Sequence, residues 1–184
     1  MEDRRQPDDD PCWYALYTRS RHEKRVDAAL RERSFEAYLP LVARLRQWHD
    51  RKKVIEFPMF PSYVFARTSL RDLPAALSTP GVATVIRFDG RPVAISSEEM
   101  ANVRRFAEAL GEAGTDAHLC PLVSVGQRVR VVSGPFAGVE GTVLEQRARR
   151  ATIQVGIGAI QQALRVELPV ESIELLGSSQ AVGR

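Results

Sequence analysis

The segment Phe57-Pro58-Met59-Phe60-Pro61-Ser62-Tyr63-Val64-Phe65-Ala66 decides how the chain folds. From Ser62 onward, period-two alternation sets Tyr63 and Phe65 on one face and Val64 and Ala66 on the other, and both faces are apolar. A strand of that composition is covered on both sides and lies inside a sheet. Pro58 and Pro61 cannot donate to a ladder, so the approach to the strand is bent or lies at an edge. Such a bend aims side chains outward.

Working back from this strand, residues 13–19 alternate as a second strand, with Trp13, Ala15 and Tyr17 on one face and Tyr14, Leu16 and Thr18 on the other. Ser20-Arg21-His22-Glu23 has the form of a capping box, and Val26, Ala29 and Leu30 then recur at helical spacing. Arg21, Lys24, Arg25 and Arg31 fall largely away from that stripe, and a solvated helix face is their plainer reading. Residues 35–40 read as a short strand. Residues 41–48 and 54–57 are the arms of a hairpin whose tip, Asp50-Arg51-Lys52-Lys53, is basic and lies beside Trp48.

Working forward, residues 69–77 predict a short helix or loop interrupted by Pro74. Pro80-Gly81 turns the chain into the β-branched strand 82–86, which Asp89-Gly90 closes. Ser96-Ser97-Glu98-Glu99 offers a second capping box, followed by an amphipathic stripe of Met100, Val103, Phe106, Ala107 and Leu110. Strands mixed with about three helices predict a layered α/β domain over residues 12–110. Glycines and polar residues without periodicity make 111–122 a linker.

Beyond the linker only short strands follow, at 128–132, 140–146, 152–155 and 164–168, separated by glycine or proline. They predict a small, strongly bent β-barrel over residues 123–176, making the whole chain α+β. Between Val125 and Val143, Val129, Val131, Val139 and Val143 alternate into a core. Gly134, Gly138 and Gly141 stand at turns or close approaches around Gly134-Pro135-Phe136-Ala137-Gly138, and Gly126 stands at the head of the same stretch. Residues 1–11 and 177–184 read as disordered tails, the first of them acidic.

The 184 residues suffice to bury a core without staples, and a net charge of +3 says little about partners. Its distribution says more, because basic residues concentrate between Arg19 and Lys53. Cys12 and Cys120 are far apart and stand at no zinc-ligand spacing, which argues against a metal site or a disulfide framework and for a reducing compartment. No apolar run approaches the roughly twenty residues that span a bilayer. His22, His49 and His118 lie in unrelated contexts, and no nucleophile elbow, carboxylate pair or phosphate loop is present. The sequence therefore predicts a cytoplasmic, monomeric protein that is no enzyme and needs no cofactor.

Residues 125–143 resemble the KOW motif. Trp13-Tyr14-Ala15-Leu16-Tyr17, Arg21-His22-Glu23-Lys24, Tyr38-Leu39-Pro40, Phe60-Pro61-Ser62-Tyr63-Val64-Phe65 and Thr79-Pro80-Gly81-Val82 are similar to the N-terminal (NGN) domain of NusG-type transcription factors. The resemblance runs from Cys12 to Leu176 and implies an NGN sandwich, a mixed antiparallel sheet flanked by helices, followed by an SH3-like KOW barrel. The hairpin with Trp48 and the Glu56-x-Pro58-x-Phe60-Pro61 approach resemble the specialised antiterminators of capsule and surface-polysaccharide operons. Ser62 departs from the glycine common in the family.

The resemblance further implies a factor that binds the clamp helices of RNA polymerase through an apolar face and suppresses pausing or termination. Its KOW domain would recruit another protein, a small-subunit ribosomal protein or the termination factor Rho. Carried over by motif, Tyr17, Phe60, Pro61, Tyr63 and Phe65 are the polymerase-binding candidates, and Arg19, Arg33 and Thr79 the candidates for non-template DNA. The strand parity agrees, since Trp13, Tyr17, Tyr63 and Phe65 share a face and would form an exposed aromatic patch. A ribosomal or RNA-binding KOW protein is the alternative. It is favoured by the basic third and the barrel, but not by the upstream motifs or by aromatics that stand apart from most of the arginines.

Overall fold

The computed structural model describes residues 10–47, 52–113, 118–121, 126–147 and 149–176. Residues 1–9, the hairpin tip from Trp48 to Arg51, the linker positions 114–117 and 122–125, and the segment 177–184 lie outside the described residues. The chain divides into two compact units, Met1–Met100 and Ala101–Arg184.

The first unit contains β1 (Cys12–Thr18), α1 (Glu23–Glu32), β2 (Glu36–Tyr38), β3 (Leu41–Gln47), β4 (Lys52–Pro58), β5 (Tyr63–Thr68), α2 (Leu73–Leu77), β6 (Val82–Val85), β7 (Arg87–Phe88), β8 (Arg91–Pro92) and β9 (Ala94–Ile95). Its main sheet has the order β2-β5-β1-β6, with β9 also on β1, and every pairing is antiparallel. The strand read from 62–66 is therefore interior, as its two apolar faces require. On one face Tyr14, Leu16, Val64 and Ala66 pack with Val26 and Leu30 of α1 and Leu73 and Ala76 of α2. On the other, Trp13, Ala15 and Phe65 are equally buried. Pro58 ends β4 in the separate two-stranded ribbon with β3, and Pro61 stands in the turn before β5.

Local chemistry departs from the sequence reading at the start of α1. Ser20 does not cap the helix: His22 occupies the cap position and makes no side-chain cap bond, and Glu23 is the first helical residue. Arg21 enters the left-handed region at φ 63°, and the His22 N–H donates to the Arg19 carbonyl at 3.1 Å. The carboxylate that a capping box would turn back toward Ser20 reaches the Ser62 N–H instead, at 2.8 Å. At α2 the expected interruption is a beginning, because Pro74 sits in the first helical turn, where its missing N–H has no partner to lose. Ser69 Oγ accepts the Asp72 N–H at 3.0 Å and donates to Asp72 Oδ2 at 2.9 Å, ordering that approach.

Helix α3 (Ser97–Ala113) opens as predicted on the serine side, with Ser96 Oγ accepting the Glu99 N–H at 3.1 Å. It runs on through Gly111, Glu112 and Ala113, which the sequence reading gave to the linker. One glycine costs about 1 kcal/mol in a helix, and the strong helix formers after it let the last turn continue.

The second unit takes the helix from Ala101 onward, then β10 (His118–Pro121), β11 (Arg128–Val131), β12 (Glu140–Arg147), β13 (Arg150–Ile157), β14 (Gln162–Pro169) and β15 (Ile173–Leu175). Its antiparallel sheet has the order β10-β14-β13-β12-β11-β15 and forms the small barrel. Strand β10 also falls in the expected linker: little in its own sequence marks it, and it is defined by pairing with β14. Val129, Val131 and Val139 are buried, as the alternation requires, and Val143 is half-buried. Two glycines answer to close approach. A Cβ on Gly126, at φ 95°, would lie 1.9 Å from the Val143 carbonyl oxygen, and one on Gly141 would lie 2.5 Å from that of Gln154. Among the described residues no helix is long and apolar enough to cross a membrane.

Candidate functional site

Tyr17 lies at the end of β1, opposite Tyr63 on β5 and Thr84 on β6. The two rings meet edge to face, with centroids 5.4 Å apart and planes at 66°. Tyr17 is 41% exposed and Tyr63 is half-buried, so an aromatic pair reaches solvent on a sheet face whose Trp13, Ala15 and Phe65 are buried. Burial raises the Tyr63 phenol above its ordinary pKa of 10.0, and the neighbouring Tyr17 phenol pushes it further the same way. Tyr63 is thus a neutral donor and acceptor on an apolar body, a composition that suits protein contact.

The rest of the predicted aromatic surface is interior. Phe60 and Phe65 are 1% and 0% exposed and pack against each other edge to face at 6.0 Å, while Trp13 is 4% exposed. Pro61 is exposed in the turn. Trp13, Tyr17, Tyr63 and Phe65 do share one face, but parity does not tell how far along that face the covering layer extends. It covers Trp13, Ala15 and Phe65 and stops before Tyr17.

The Tyr63 end is set by Ser62, which adopts φ 66°, the left-handed conformation that glycine usually supplies. Its N–H donates to Glu23 Oε1 and its carbonyl accepts the Thr18 N–H, each at 2.8 Å. One residue thereby ties the start of α1 and the end of β1 to the first residue of β5. Glu23 is almost fully buried, which strengthens a charge-assisted bond.

The predicted DNA-binding residues converge on the turn 78–81. Arg33 Nη1 donates to Thr79 Oγ1 at 2.6 Å and Nη2 to Ser78 Oγ at 3.0 Å. The guanidinium also stands 5.9 Å from the Phe35 ring centroid. Thr79 is 1% exposed, so its hydroxyl serves the turn and not a surface. Arg19 borders the same turn through its N–H, which donates to the Gly81 carbonyl at 2.9 Å, and its side chain is exposed. Arg21 and Arg25 are exposed too, and among the described residues none of Arg19, Arg21 and Arg25 forms an ion pair, whereas Lys24 pairs with Glu56 and Arg31 with Asp27. Arg21 and Arg25 thus join Arg19 as free cations that a helix-face reading had set aside. The basic hairpin tip at Trp48 and Arg51 lies outside the described residues.

In the second unit Phe136 is 2% exposed and meets Phe106 of α3 at 5.5 Å, so this phenylalanine is a packing residue. Asn102 pairs with the backbone of Glu140 as a further peptide group would: its Nδ2 donates to the Glu140 carbonyl at 2.6 Å and its Oδ1 accepts the Glu140 N–H at 2.7 Å. The Glu140 carboxylate in turn holds Arg128 at 3.1 Å and Arg130 at 2.6 Å. Gly134 and Gly138 take positive φ at either end of the loop that carries Phe136.

Known proteins share this arrangement of motifs. The family model described as "Transcription termination factor nusG" matches residues 11–104, and that described as "KOW motif" matches residues 125–155. The "Transcription termination/antitermination protein NusG" of Thermus thermophilus is 29% identical over 183 residues, covering 88% of this chain and 96% of its own. The protein of the same name from Vibrio vulnificus is 31% identical over 179 residues, covering 89% and 95%. A solved structure described as "Domain interaction in Thermotoga maritima NusG" aligns with a TM-score of 0.48 at 23% identity, covering 89% of this chain and 96% of its own.

Proposed function

Since the chain belongs to the NusG family of transcription factors, we propose that it is a non-catalytic elongation and antitermination factor of the cytoplasm, acting as a monomer that holds the clamp helices of RNA polymerase. The exposed Tyr17–Tyr63 pair carries this reading, because it is an aromatic surface open to solvent on a face whose Trp13 and Phe65 are buried. In this reading the first domain suppresses pausing or termination, and the barrel recruits a small-subunit ribosomal protein or Rho. Arg19, with Arg21 and Arg25, contacts exposed non-template DNA. Arg33 and Thr79 act one step back by shaping the turn that Arg19 borders.

The test is the double variant Tyr17→Ala, Tyr63→Ala in the full chain, measured for binding to core RNA polymerase. A hot-spot aromatic is worth on the order of 2 kcal/mol, so each loss should weaken binding by roughly thirtyfold. Phe60 and Phe65 are unsuitable test positions, since their truncation would hollow the core. A double variant that keeps its circular dichroism and binds polymerase as tightly as the parent would remove the clamp assignment. For the DNA contact, Arg19→Ala should flatten the salt dependence of recruitment to complexes with an exposed non-template strand and leave binding to DNA-free polymerase unchanged.

A further inference from the structure

Phe88 is 80% exposed, the most exposed large hydrophobic side chain among the described residues. It lies on the short ribbon of β7 and β8, where it pairs across the ladder with Arg91, and Arg87 pairs with Pro92. The connecting residues Asp89 and Gly90 have φ of 49° and 77°, the two positive values that a tight type I′ hairpin turn requires. The ribbon is therefore preorganised. Val93 N–H also donates to the Ile86 carbonyl at 3.0 Å, closing its base. Arg87 and Arg91 are exposed, and among the described residues neither forms an ion pair or a side-chain hydrogen bond, nor does Asp89 at the tip.

Phe88 shares its face of the ribbon with Arg91 across the ladder, while Arg87, next to it in the strand, projects from the other face. Folding gains nothing from an aromatic ring held in water beside these unpaired guanidinium groups. The combination has the chemistry of a base-stacking platform: a flat apolar face for one base and two cations for the phosphates beside it. From this geometry we infer that the Arg87-Phe88-Asp89-Gly90-Arg91 hairpin binds single-stranded nucleic acid, with one base stacked on Phe88 and flanking phosphates on Arg87 and Arg91. Most of the chain's aromatics stand apart from its arginines, but here the fold keeps an aromatic and two arginines together at a tip. An unpaired arginine on the face of the ring and a second on the opposite face of the same narrow ribbon favour a polyanion over an apolar partner surface.

The experiment uses the free full-length chain and no polymerase, so its outcome is independent of the clamp assignment. Binding of a fluorescein-labelled oligothymidylate of about twelve nucleotides, long enough to span such a site, is followed by anisotropy at low ionic strength, with the matching duplex as comparison. Phe88→Ala should weaken single-strand binding by about tenfold, the worth of one stacked base, and Arg87→Gln with Arg91→Gln should weaken it and reduce its salt dependence. Phe88→Trp should keep the affinity, and its added fluorescence should be quenched on binding. The variants remove only exposed groups, so their melting temperatures should match the parent's. An absence of single-strand binding, an affinity untouched by Phe88→Ala, or displacement of the hairpin's ligand by polyglutamate with the same Phe88 dependence would overturn the proposal, the last in favour of an acidic protein partner.

Discussion

Ser62 offers the sharpest test of the physical reasoning. Its φ of 66° places an L side chain in the left-handed region, at a cost of roughly 1–2 kcal/mol. Ser62→Gly removes that cost but widens the unfolded ensemble, which returns about 0.4–1 kcal/mol. The bonds from the Ser62 N–H to Glu23 and from the Thr18 N–H to the Ser62 carbonyl are made by the backbone and survive the change. No hydrogen bond is formed by the serine hydroxyl among the described residues, so little is lost with it. The net expectation is a gain of about 0.5–1 kcal/mol. In a domain of this size that raises the melting temperature by about 3–6 °C.

The readout can be confined to the right unit. The chain has two tryptophans, Trp13 and Trp48, and both lie within Met1–Met100, so fluorescence-detected urea unfolding reports on the first unit without the barrel. Ser62→Ala is the control, since it removes the hydroxyl and keeps the strained φ, and it should leave the midpoint unchanged. Ser62→Val, β-branched at positive φ, should lose at least about 1 kcal/mol. If Ser62→Gly lowers the midpoint while Ser62→Ala does not, backbone strain is not what distinguishes this residue, and the account of the turn fails.

Two other outcomes are expected. Alkaline unfolding should depend on Tyr63: its folded pKa is raised by burial and then by Tyr17, so the neutral phenol stabilises the fold fully below pH 10.0 and loses that contribution as pH climbs through the folded value. Tyr63→Phe should flatten the decline of the urea midpoint above pH 10.0, and an unchanged slope would show that the phenol is not desolvated. Asn102→Ala strips both partners from the half-buried Glu140 backbone, which should destabilise the second unit by about 2 kcal/mol and accelerate amide exchange at Glu140. Unchanged protection there would mean the pairing contributes nothing.

The alternation around Val64 placed an interior strand because burial on both faces leaves both phases apolar, and the glycine-punctuated valines of 126–143 placed the barrel core for the same reason. Features governed by distant partners were not legible. Ser20-x-x-Glu23 satisfies the capping-box pattern, yet Glu23 is claimed by a backbone N–H thirty-nine positions away. Strand β10 exists because β14 pairs with it, and α3 continues past Gly111 because Glu112 and Ala113 are good helix formers. Among the candidate site residues, named from the family resemblance, strand parity also put Tyr17 and Tyr63 on one face. The burial of Phe65 depends on which part of its strand face is covered, and that of Phe60 and Thr79 on how their turns fold back, and no local pattern encodes either.

These observations converge on how an ordinary sheet is made to present a contact. The covering layer leaves the Tyr17 end open, and the Ser62 turn has to deliver Tyr63 across from Tyr17 at that end. A relaxed turn residue would not need anchoring, whereas a left-handed serine is held by a buried carboxylate on one side and a strand N–H on the other. The same carboxylate belongs to the first turn of α1, which follows directly on Arg19 and Arg21. Replacing Glu23 should therefore disturb the aromatic pair and the basic turn together, although it touches neither an exposed ring nor an exposed arginine. Loosening the Ser62 N–H moves Tyr63, and loosening the start of α1 moves the segment that carries Arg19. A strained turn stitched to a helix start thus couples the two halves of the candidate surface through a single buried group.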